Sequence, residues 1–148
     1  MVTMNVLYTS TEGNTKSFVE KLKTVAESNG NVLLTKNIGD ETEYEIETAP
    51  YIAVVPTYLT GGTGTGPDVT EIFTNALGDY IAYENNRQFL KGIVGGGNRN
   101  FNVQFDLTGR RYAEKFDVPL LFEFELRGSI FDAEKVYNLM KPLFGGES

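Results

Sequence analysis

The sequence predicts an α/β fold: a three-layer sandwich around a five-stranded parallel sheet in the order 2-1-3-4-5. Two observations favour this class. Short apolar runs alternate with segments of helical periodicity along the whole chain, a pattern typical of parallel strands joined by right-handed crossovers. The chain has 148 residues, which suits five strands better than six and is an ordinary size for one domain. We therefore expect a single domain over residues 1–148.

The first half of the chain predicts three strands and one helix. Each strand is a short apolar run bounded by turn residues. Between the first two runs, Phe18, Leu22 and Val25 recur at helical spacing, which indicates an amphipathic helix. Asn29 and Gly30 then supply the residue types that end helices. The predicted strands are 4–8, 31–36 and 51–58, and the predicted helix is 15–28.

The second half predicts two more strands and three helices. Pro67 and Asp68 are typical of a helix start, and the apolar residues that follow them recur at helical spacing. The last strand alternates in its second half, which favours an edge position in the sheet. The predicted elements are a helix opening at residue 67 (apolar positions Val69, Ile72, Phe73, Ala76 and Leu77), strand 89–95, helix 103–116 (core candidates Leu107, Tyr112, Ala113 and Phe116), strand 118–126, and helix 131–142 with core candidates Val136, Tyr137, Leu139, Met140 and Leu143.

Composition excludes several classes of chemistry. The chain contains no histidine and no cysteine, which excludes Ser-His and Cys-His triads, disulfides and thiolate metal sites, and we expect no metal centre. The net charge of −7 argues against nucleic-acid binding, which needs clustered Lys and Arg. No apolar run approaches the ~20 residues of a membrane-spanning helix, and no signal-peptide pattern is present, so we expect a cytoplasmic protein without membrane partners.

One segment, residues 39–50, is strongly acidic. It carries five carboxylates between Asp40 and Glu47 and shows little helical periodicity. We interpret it as a solvent-facing crossover between strands. A docking patch for a basic partner is the alternative.

Three small, polar, glycine-rich segments follow strands 1, 3 and 4: TSTEGNT, TYLTGGTGTG and GGGNRNFN. Since ligands of such sheets bind beyond the carboxyl ends of the strands, these segments predict one binding site. Tyr58 and Phe101 lie in two of them. Taken singly, each is typical of an ordinary core aromatic, whereas the two together indicate a flat ring ligand. Neither a G-x-G-x-x-G nor a P-loop pattern fits the spacing.

The stretch YTSTEGNT, residues 8–15, predicts an anion site without a cation of its own. The hydroxyls of Ser10, Thr11 and Thr15, the amide of Asn14 and successive backbone N–H groups can donate to phosphate oxygens. The helix that follows adds roughly half a positive charge at its N-terminus. Glu12 must then point outward, or its carboxylate would repel the anion.

YTSTEGNT resembles the FMN-phosphate loop of flavodoxins, in which threonine usually stands in place of Glu12. GNRNF at 97–101, FELRGS at 124–129 and PTYLTGGTGTG at 56–66 are similar to segments of the NrdI family. This resemblance implies a small flavodoxin-like protein that binds FMN and works with class Ib ribonucleotide reductase. The segment 56–66 is long and rich in glycine, so the resemblance leaves open which of its residues contact the flavin.

The resemblance also implies roles for residues. Ser10, Thr11, Gly13, Asn14 and Thr15 would hold the FMN phosphate; Tyr58, Thr60, Gly61 and Gly62 would flank one side of the flavin ring; Gly97, Asn98, Asn100 and Phe101 would lie at the other side and edge; and Glu12, Thr57 and Leu59 belong to the same cofactor-binding segments. Arg99 would either face a docking partner or pair with a nearby carboxylate.

The family's reduced flavin would react with O₂, and the superoxide or peroxide formed would pass to the dimanganese small subunit of the reductase. An electron-donor reductase would be a second partner. No side chain needs to act as an acid or base, so the chain would be a redox activator rather than a conventional enzyme. A general electron-transfer flavodoxin is the alternative function, and an interaction protein that has lost the flavin is another.

Overall fold

A computed structural model describes residues 2–9, 13–39, 41–56, 58–60, 70–72, 76–97, 107–125 and 127–144. Five parallel strands form one sheet and two short strands form an antiparallel ribbon. No helix in these ranges is long and apolar enough to cross a membrane. The elements are β1 (Thr3–Tyr8), α1 (Asn14–Ser28), β2 (Val32–Asn37), β3 (Tyr51–Pro56), β4 (Tyr58–Thr60), β5 (Thr70–Ile72), α2 (Ala76–Ala82), β6 (Leu90–Gly97), α3 (Leu107–Phe116), β7 (Leu120–Glu125) and α4 (Ile130–Met140), with 3₁₀ turns at Asn86–Phe89 and Lys141–Phe144.

The sheet confirms the predicted topology. Its strand order is β2-β1-β3-β6-β7, which is 2-1-3-4-5 when only the strands of this sheet are counted. All four pairings are parallel. The central strand β3 is buried from Tyr51 to Val55, as expected for a parallel strand covered on both faces. β7 lies at an edge, as its alternating pattern predicts.

The two faces of the sheet carry separate apolar cores. Successive side chains of β3 point to opposite faces, so Ile52 and Val54 enter one core while Ala53 and Val55 enter the other. The first core packs α1 and α4 against the sheet. Its helical members include Phe18, Leu22, Val136 and Met140, whereas Leu77, Tyr80, Ile81, Tyr112 and Phe116 of α2 and α3 fill the second core.

The helix predicted to open at Pro67 is wrong over residues 70–72. These residues form β5, which pairs antiparallel with β4, and the described helix α2 spans Ala76–Ala82. Thr70 and Ile72 are β-branched and favour extended backbone. Pairing with β4 therefore stabilises a strand at residues 70–72 more than their spacing favours a helix. The other early positions of the predicted helix, Val69 and Phe73, lie outside the described residues.

β6 continues through glycines that the sequence pattern assigned to a loop. The strand runs to Gly97 rather than ending at residue 95. A Cβ on Gly96 would lie 2.5 Å from the ring of Phe124, and one on Gly92 would lie 2.8 Å from Leu121. The glycines therefore make room for large side chains of the neighbouring strand β7, one of the reasons for which glycine occurs inside strands.

The acidic segment is non-helical as predicted, but it is not wholly solvent-facing. The Glu47 carboxylate accepts a hydrogen bond from the Tyr80 hydroxyl at 2.6 Å and pairs with Lys36 at 2.8 Å. Buried Asn86 accepts the Glu47 N–H at 2.7 Å and donates to the Glu45 carbonyl at 2.8 Å. Burial, and then the hydrogen bond to Glu47, raise the pKa of Tyr80. Glu47 therefore anchors the segment to the fold.

The C-terminal end of α1 agrees with its predicted pattern, and the buried face of α4 agrees with its pattern except at one position. Asn29 caps α1, and Gly30 follows with φ 77°. In α4, Val136, Tyr137 and Met140 are buried, but Leu139 is 45% exposed and its predicted core position is wrong. At 100° per residue, position 139 falls outside the arc that the three buried side chains define.

Candidate functional site

The carboxyl ends of the parallel strands lie at one edge of the sheet. β1 ends there at Tyr8, β3 at Pro56 and β6 at Gly97, and β1 and β3 are neighbours. Ligands of open α/β sheets bind at such an edge, where the connections of adjacent strands diverge. The strand ends therefore come together as the three-segment prediction requires.

The structure describes part of the predicted cofactor site. It gives Gly13, Asn14, Thr15 and Gly97, together with the backbone of Tyr58–Thr60. The site can therefore be built from the start of α1, the ribbon and the end of β6. Ser10, Thr11, Glu12, Thr57, Gly61, Gly62, Asn98, Asn100 and Phe101, as well as Arg99, lie outside the described residues.

The N-terminus of α1 is suited to an anion. Gly13 precedes the helix with φ 89° and ψ −10°, a left-handed conformation that glycine adopts without strain. Its carbonyl accepts the Ser17 N–H at 2.9 Å. Within this fully described helix there is no side-chain N-cap hydrogen bond and no carboxylate in the first turn. The positive end of the helix dipole and the first N–H groups therefore lie next to Gly13. The first turn adds no acidic side chain that would repel an anion there.

Neutral groups flank that segment on both sides. Thr9 is 6% exposed and Thr15 is 1% exposed, and buried hydroxyls are normally hydrogen-bonded. Tyr8 packs in the core beneath α1. Its burial, and then the Glu20 carboxylate, raise its pKa, which keeps the phenol neutral at physiological pH. An anion bound here would meet uncharged donors from both flanks.

The ribbon and the end of β6 form a second part of the site. β4 starts two residues after β3 ends, and Tyr58 pairs with Ile72 while Thr60 pairs with Thr70. Gly97 is opposite Glu125 in the β6–β7 ladder. The backbone of Leu59, Thr60 and Gly97 is therefore held in strands where the sequence indicated loop, and Tyr58, predicted at the end of strand 51–58, begins β4 instead.

A fourth segment joins the site that the three-segment prediction did not include. It is the turn from β7 to α4, where the Arg127 Nε donates to the Asn14 Oδ1 at 3.3 Å. Lys21 Nζ donates to the Arg127 carbonyl at 3.3 Å and to the Ser17 Oγ at 3.0 Å. FELRGS marks this segment in the sequence, because it spans the carboxyl end of the fifth strand and all parallel strands end at the same edge.

Apolar packing fixes this turn against α1. The Phe124 and Phe18 rings stack with centroids 4.1 Å apart and planes 7° apart. Gly128 has φ 64°, and a Cβ there would lie 2.5 Å from Phe18 Cδ1. The Gly128 N–H donates to the Glu125 carbonyl at 2.9 Å. The backbone at Arg127 is therefore placed by its neighbours.

The N-terminus of α4 begins directly after this turn, and it is closed by its own residues. The Ser129 Oγ accepts the Asp132 N–H at 3.1 Å, and the Asp132 carboxylate accepts the Ser129 N–H at 3.0 Å. This reciprocal pair is a capping box, which satisfies two N–H groups at the start of the helix.

Comparison with known proteins identifies the family. The family model described as NrdI Flavodoxin like matches residues 6–138. The chain belongs to the NrdI flavodoxin-like family. An NrdI-like protein of Streptococcus pneumoniae serotype 4 is 40% identical, over 97% of this chain and 96% of its own length. Protein NrdI of Mesoplasma florum is 33% identical, over 95% of this chain and 85% of its own length.

Solved structures agree on the fold. A short-chain flavodoxin associated with a bacterial microcompartment superposes with a TM-score of 0.65 at 15% identity, covering 94% of each chain. Two-electron reduced flavodoxin of Megasphaera elsdenii gives a TM-score of 0.55 at 10% identity, over 92% of this chain and 96% of its own. At these identities the likeness establishes the architecture alone.

Membership of the NrdI flavodoxin-like family implies a flavin-binding protein, and the described residues fit one. A flavin nucleotide carries a phosphate, which needs hydrogen-bond donors and positive potential. The α1 N-terminus offers both, with no carboxylate in its first turn. Arg127, hydrogen-bonded to Asn14, places a cation beside the start of α1.

Proposed function

We propose that this chain binds FMN and supplies superoxide or peroxide for assembly of the dimanganese-tyrosyl radical cofactor of class Ib ribonucleotide reductase. The observation that carries the proposal is the match to the NrdI flavodoxin-like family over residues 6–138. The N-terminus of α1 supports it, because its N-cap is glycine and its first turn contains no carboxylate, features that suit a phosphate site. The protein would act in the cytoplasm.

The proposed binding roles divide between the segments at the sheet edge. The start of α1 and the residues before it hold the phosphate, with the Glu12 carboxylate directed outward. The ribbon and the segment after β6 hold the flavin ring between them. The phosphate residues are Ser10, Thr11, Gly13, Asn14 and Thr15, and the ring residues are Thr57, Tyr58, Leu59, Thr60, Gly61, Gly62, Gly97, Asn98, Asn100 and Phe101.

The chemistry belongs to the cofactor, and the chain supplies its surroundings. FMN, when bound and reduced, provides the electrons that convert O₂ to superoxide or peroxide. The chain has no histidine or cysteine to act as acid, base or nucleophile. Its net charge of −7 disfavours further negative charge at the site, which lowers the reduction potential of a bound flavin and favours electron donation.

Two partners follow from this proposal. The dimanganese small subunit receives the oxidant, and a donor reductase delivers electrons to the flavin. The proposed flavin site lies at the carboxyl edge of the sheet. An oxidant formed there would leave the molecule at this edge. The two partners would therefore approach the molecule near the same edge.

The test uses the protein loaded with FMN and reduced without oxygen. It is mixed with O₂ and the dimanganese small subunit, and the tyrosyl radical is measured by electron paramagnetic resonance. Free reduced FMN at the same concentration is the control. We expect more radical with the protein than with free FMN.

The other outcomes separate the alternatives. A protein that binds FMN and accepts electrons from a reductase, yet gives no radical above the control, would be a general electron-transfer flavodoxin. A protein that does not bind FMN at all would be an interaction protein built on the fold. Either result would overturn the proposed function.

A further inference from the structure

We propose that Arg127 is a positioning residue for the flavin phosphate, which holds the Asn14 amide with its NH₂ group available to the anion and adds a positive charge beside it. The inference rests on the proposed binding of FMN. It concerns the turn from β7 to α4, which lies 113 residues from Asn14 along the chain.

The first step is the orientation of the amide. An asparagine side chain has one accepting oxygen and one donating NH₂ group, and the two can exchange places by rotation. A guanidinium can only donate. The Arg127 Nε therefore requires the Asn14 Oδ1 on its own side, where the two atoms are 3.3 Å apart. The NH₂ group then lies on the other branch of the amide, as a donor rather than an acceptor.

The second step is charge. Residues 8–15 contain no lysine or arginine, and the first turn of α1 contains no carboxylate that would neutralise a nearby cation. Arg127 uses its Nε on Asn14, and a guanidinium has further N–H donors in a fixed fork that matches phosphate oxygens. Its charge adds to the half charge of the helix N-terminus.

The third step is preorganisation. The turn that carries Arg127 is held by the Phe18–Phe124 stack, and the Arg127 carbonyl accepts a hydrogen bond from Lys21. These contacts are made within the chain and fix the backbone of the turn, which reduces the ordering that phosphate binding would otherwise require.

A rival interpretation is that the contact between Arg127 and Asn14 only ties the turn to the helix. The two interpretations differ in which ligand they affect. A structural tie supports the whole site, so its loss would weaken FMN and riboflavin alike. A phosphate-positioning residue acts on FMN and leaves riboflavin, which has no phosphate, largely unaffected.

The experiment measures dissociation constants for FMN and riboflavin by flavin fluorescence at several salt concentrations. The variants are Arg127→Gln and Arg127→Lys, and Lys91→Gln makes the same charge change at the amino end of β6. We expect Arg127→Gln to weaken FMN by on the order of tenfold, as for one exposed charge-assisted hydrogen bond. Riboflavin should change less than about twofold, and the salt dependence of FMN binding should become shallower.

The remaining variants complete the design. Arg127→Lys keeps the charge but loses the planar fork, so its FMN affinity should fall between wild type and Arg127→Gln. Lys91→Gln should leave both affinities unchanged. Thermal unfolding of each variant without ligand shows whether it is folded as the wild type is.

The outcomes are distinguishable from those of the proposed function. Equal weakening of FMN and riboflavin would assign Arg127 a structural role and overturn the inference. Unchanged FMN binding in Arg127→Gln would also overturn it while leaving the proposed function intact. Failure of the wild type to bind FMN would overturn the proposed function, and the inference with it.

Discussion

The N-termini of α1 and α4 lie on the same face of the sheet, each after the carboxyl end of a strand, yet they are built differently. α4 is closed by the reciprocal hydrogen bonds of Ser129 and Asp132. α1 begins after Gly13, with no side-chain cap and no acid in its first turn. The two ends are tied together by the contact of Arg127 with Asn14.

The difference shows how one fold assigns two tasks to the same kind of structural position. A capped N-terminus satisfies its N–H groups within the chain and stabilises the helix by about 1 kcal/mol. The N-cap of α1 is glycine, so this helix lacks the contribution of an N-cap side chain. We expect its first N–H groups to serve the proposed anion site, whereas the capped end of α4 serves folding.

The largest expected effect comes from the turn that joins the two ends. Gly128→Ala would place a side chain in the left-handed region, with its Cβ 2.5 Å from Phe18. Strain and overpacking together should lower the free energy of unfolding by about 3 kcal/mol. Denaturant titration measures this loss, and the displaced Arg127 should weaken FMN binding as well.

Gly30→Ala is the matched control for that variant. Gly30 also has a left-handed backbone, with φ 77°, but no atom lies within 4 Å of the position of its Cβ. Its substitution should lower the free energy of unfolding by only about 1 kcal/mol. Equal losses for the two variants would show that the contact of the turn with Phe18 is unimportant.

The same turn marks the limit of what the sequence predicts. The strand order and the ends of α1 follow from periodicity and residue type. The contact of Arg127 with Asn14 spans 113 residues and depends on how β7 and α1 pack. No local pattern contains such information. The three-segment prediction of cofactor residues therefore did not include this turn.

Two further differences have the same cause. Thr70–Ile72 form a strand because β4 is available as a partner, and a helical spacing within the segment cannot indicate a partner. The glycines at the end of β6 resemble a loop in composition, yet they continue the strand because they pair with β7, and the absence of a side chain at Gly96 leaves room for Phe124. In each case tertiary packing decided between two locally acceptable structures.

A smaller effect is expected when the capping box at the N-terminus of α4 is removed. Ser129→Ala removes the side-chain acceptor of the capping box and should lower the free energy of unfolding by about 1 kcal/mol. FMN affinity should stay within about twofold of wild type, because the donors released belong to α4 rather than α1. Parallel denaturant and fluorescence titrations measure the two quantities.

Ser28→Ala is the control for this variant, since the Ser28 hydroxyl only donates to the Thr24 carbonyl on the exposed side of α1. It should change stability by no more than about 0.5 kcal/mol. A loss of FMN affinity in Ser129→Ala comparable to that in Arg127→Gln would contradict the division of tasks between the two ends.

The smallest effect is expected at Glu12, which precedes Gly13 in YTSTEGNT. In α4 the Asp132 carboxylate hydrogen-bonds at the start of its own helix. A glutamate in the equivalent role at α1 would occupy donors needed by the phosphate and repel its charge. An outward Glu12 is screened by solvent, so Glu12→Thr should change FMN affinity by less than about threefold.

Glu134→Gln, on the exposed side of α4, controls for the change in net charge. If Glu12→Thr alone tightened FMN tenfold or more, Glu12 would face the phosphate, and α1 would be closed by its own acid until the ligand displaced it.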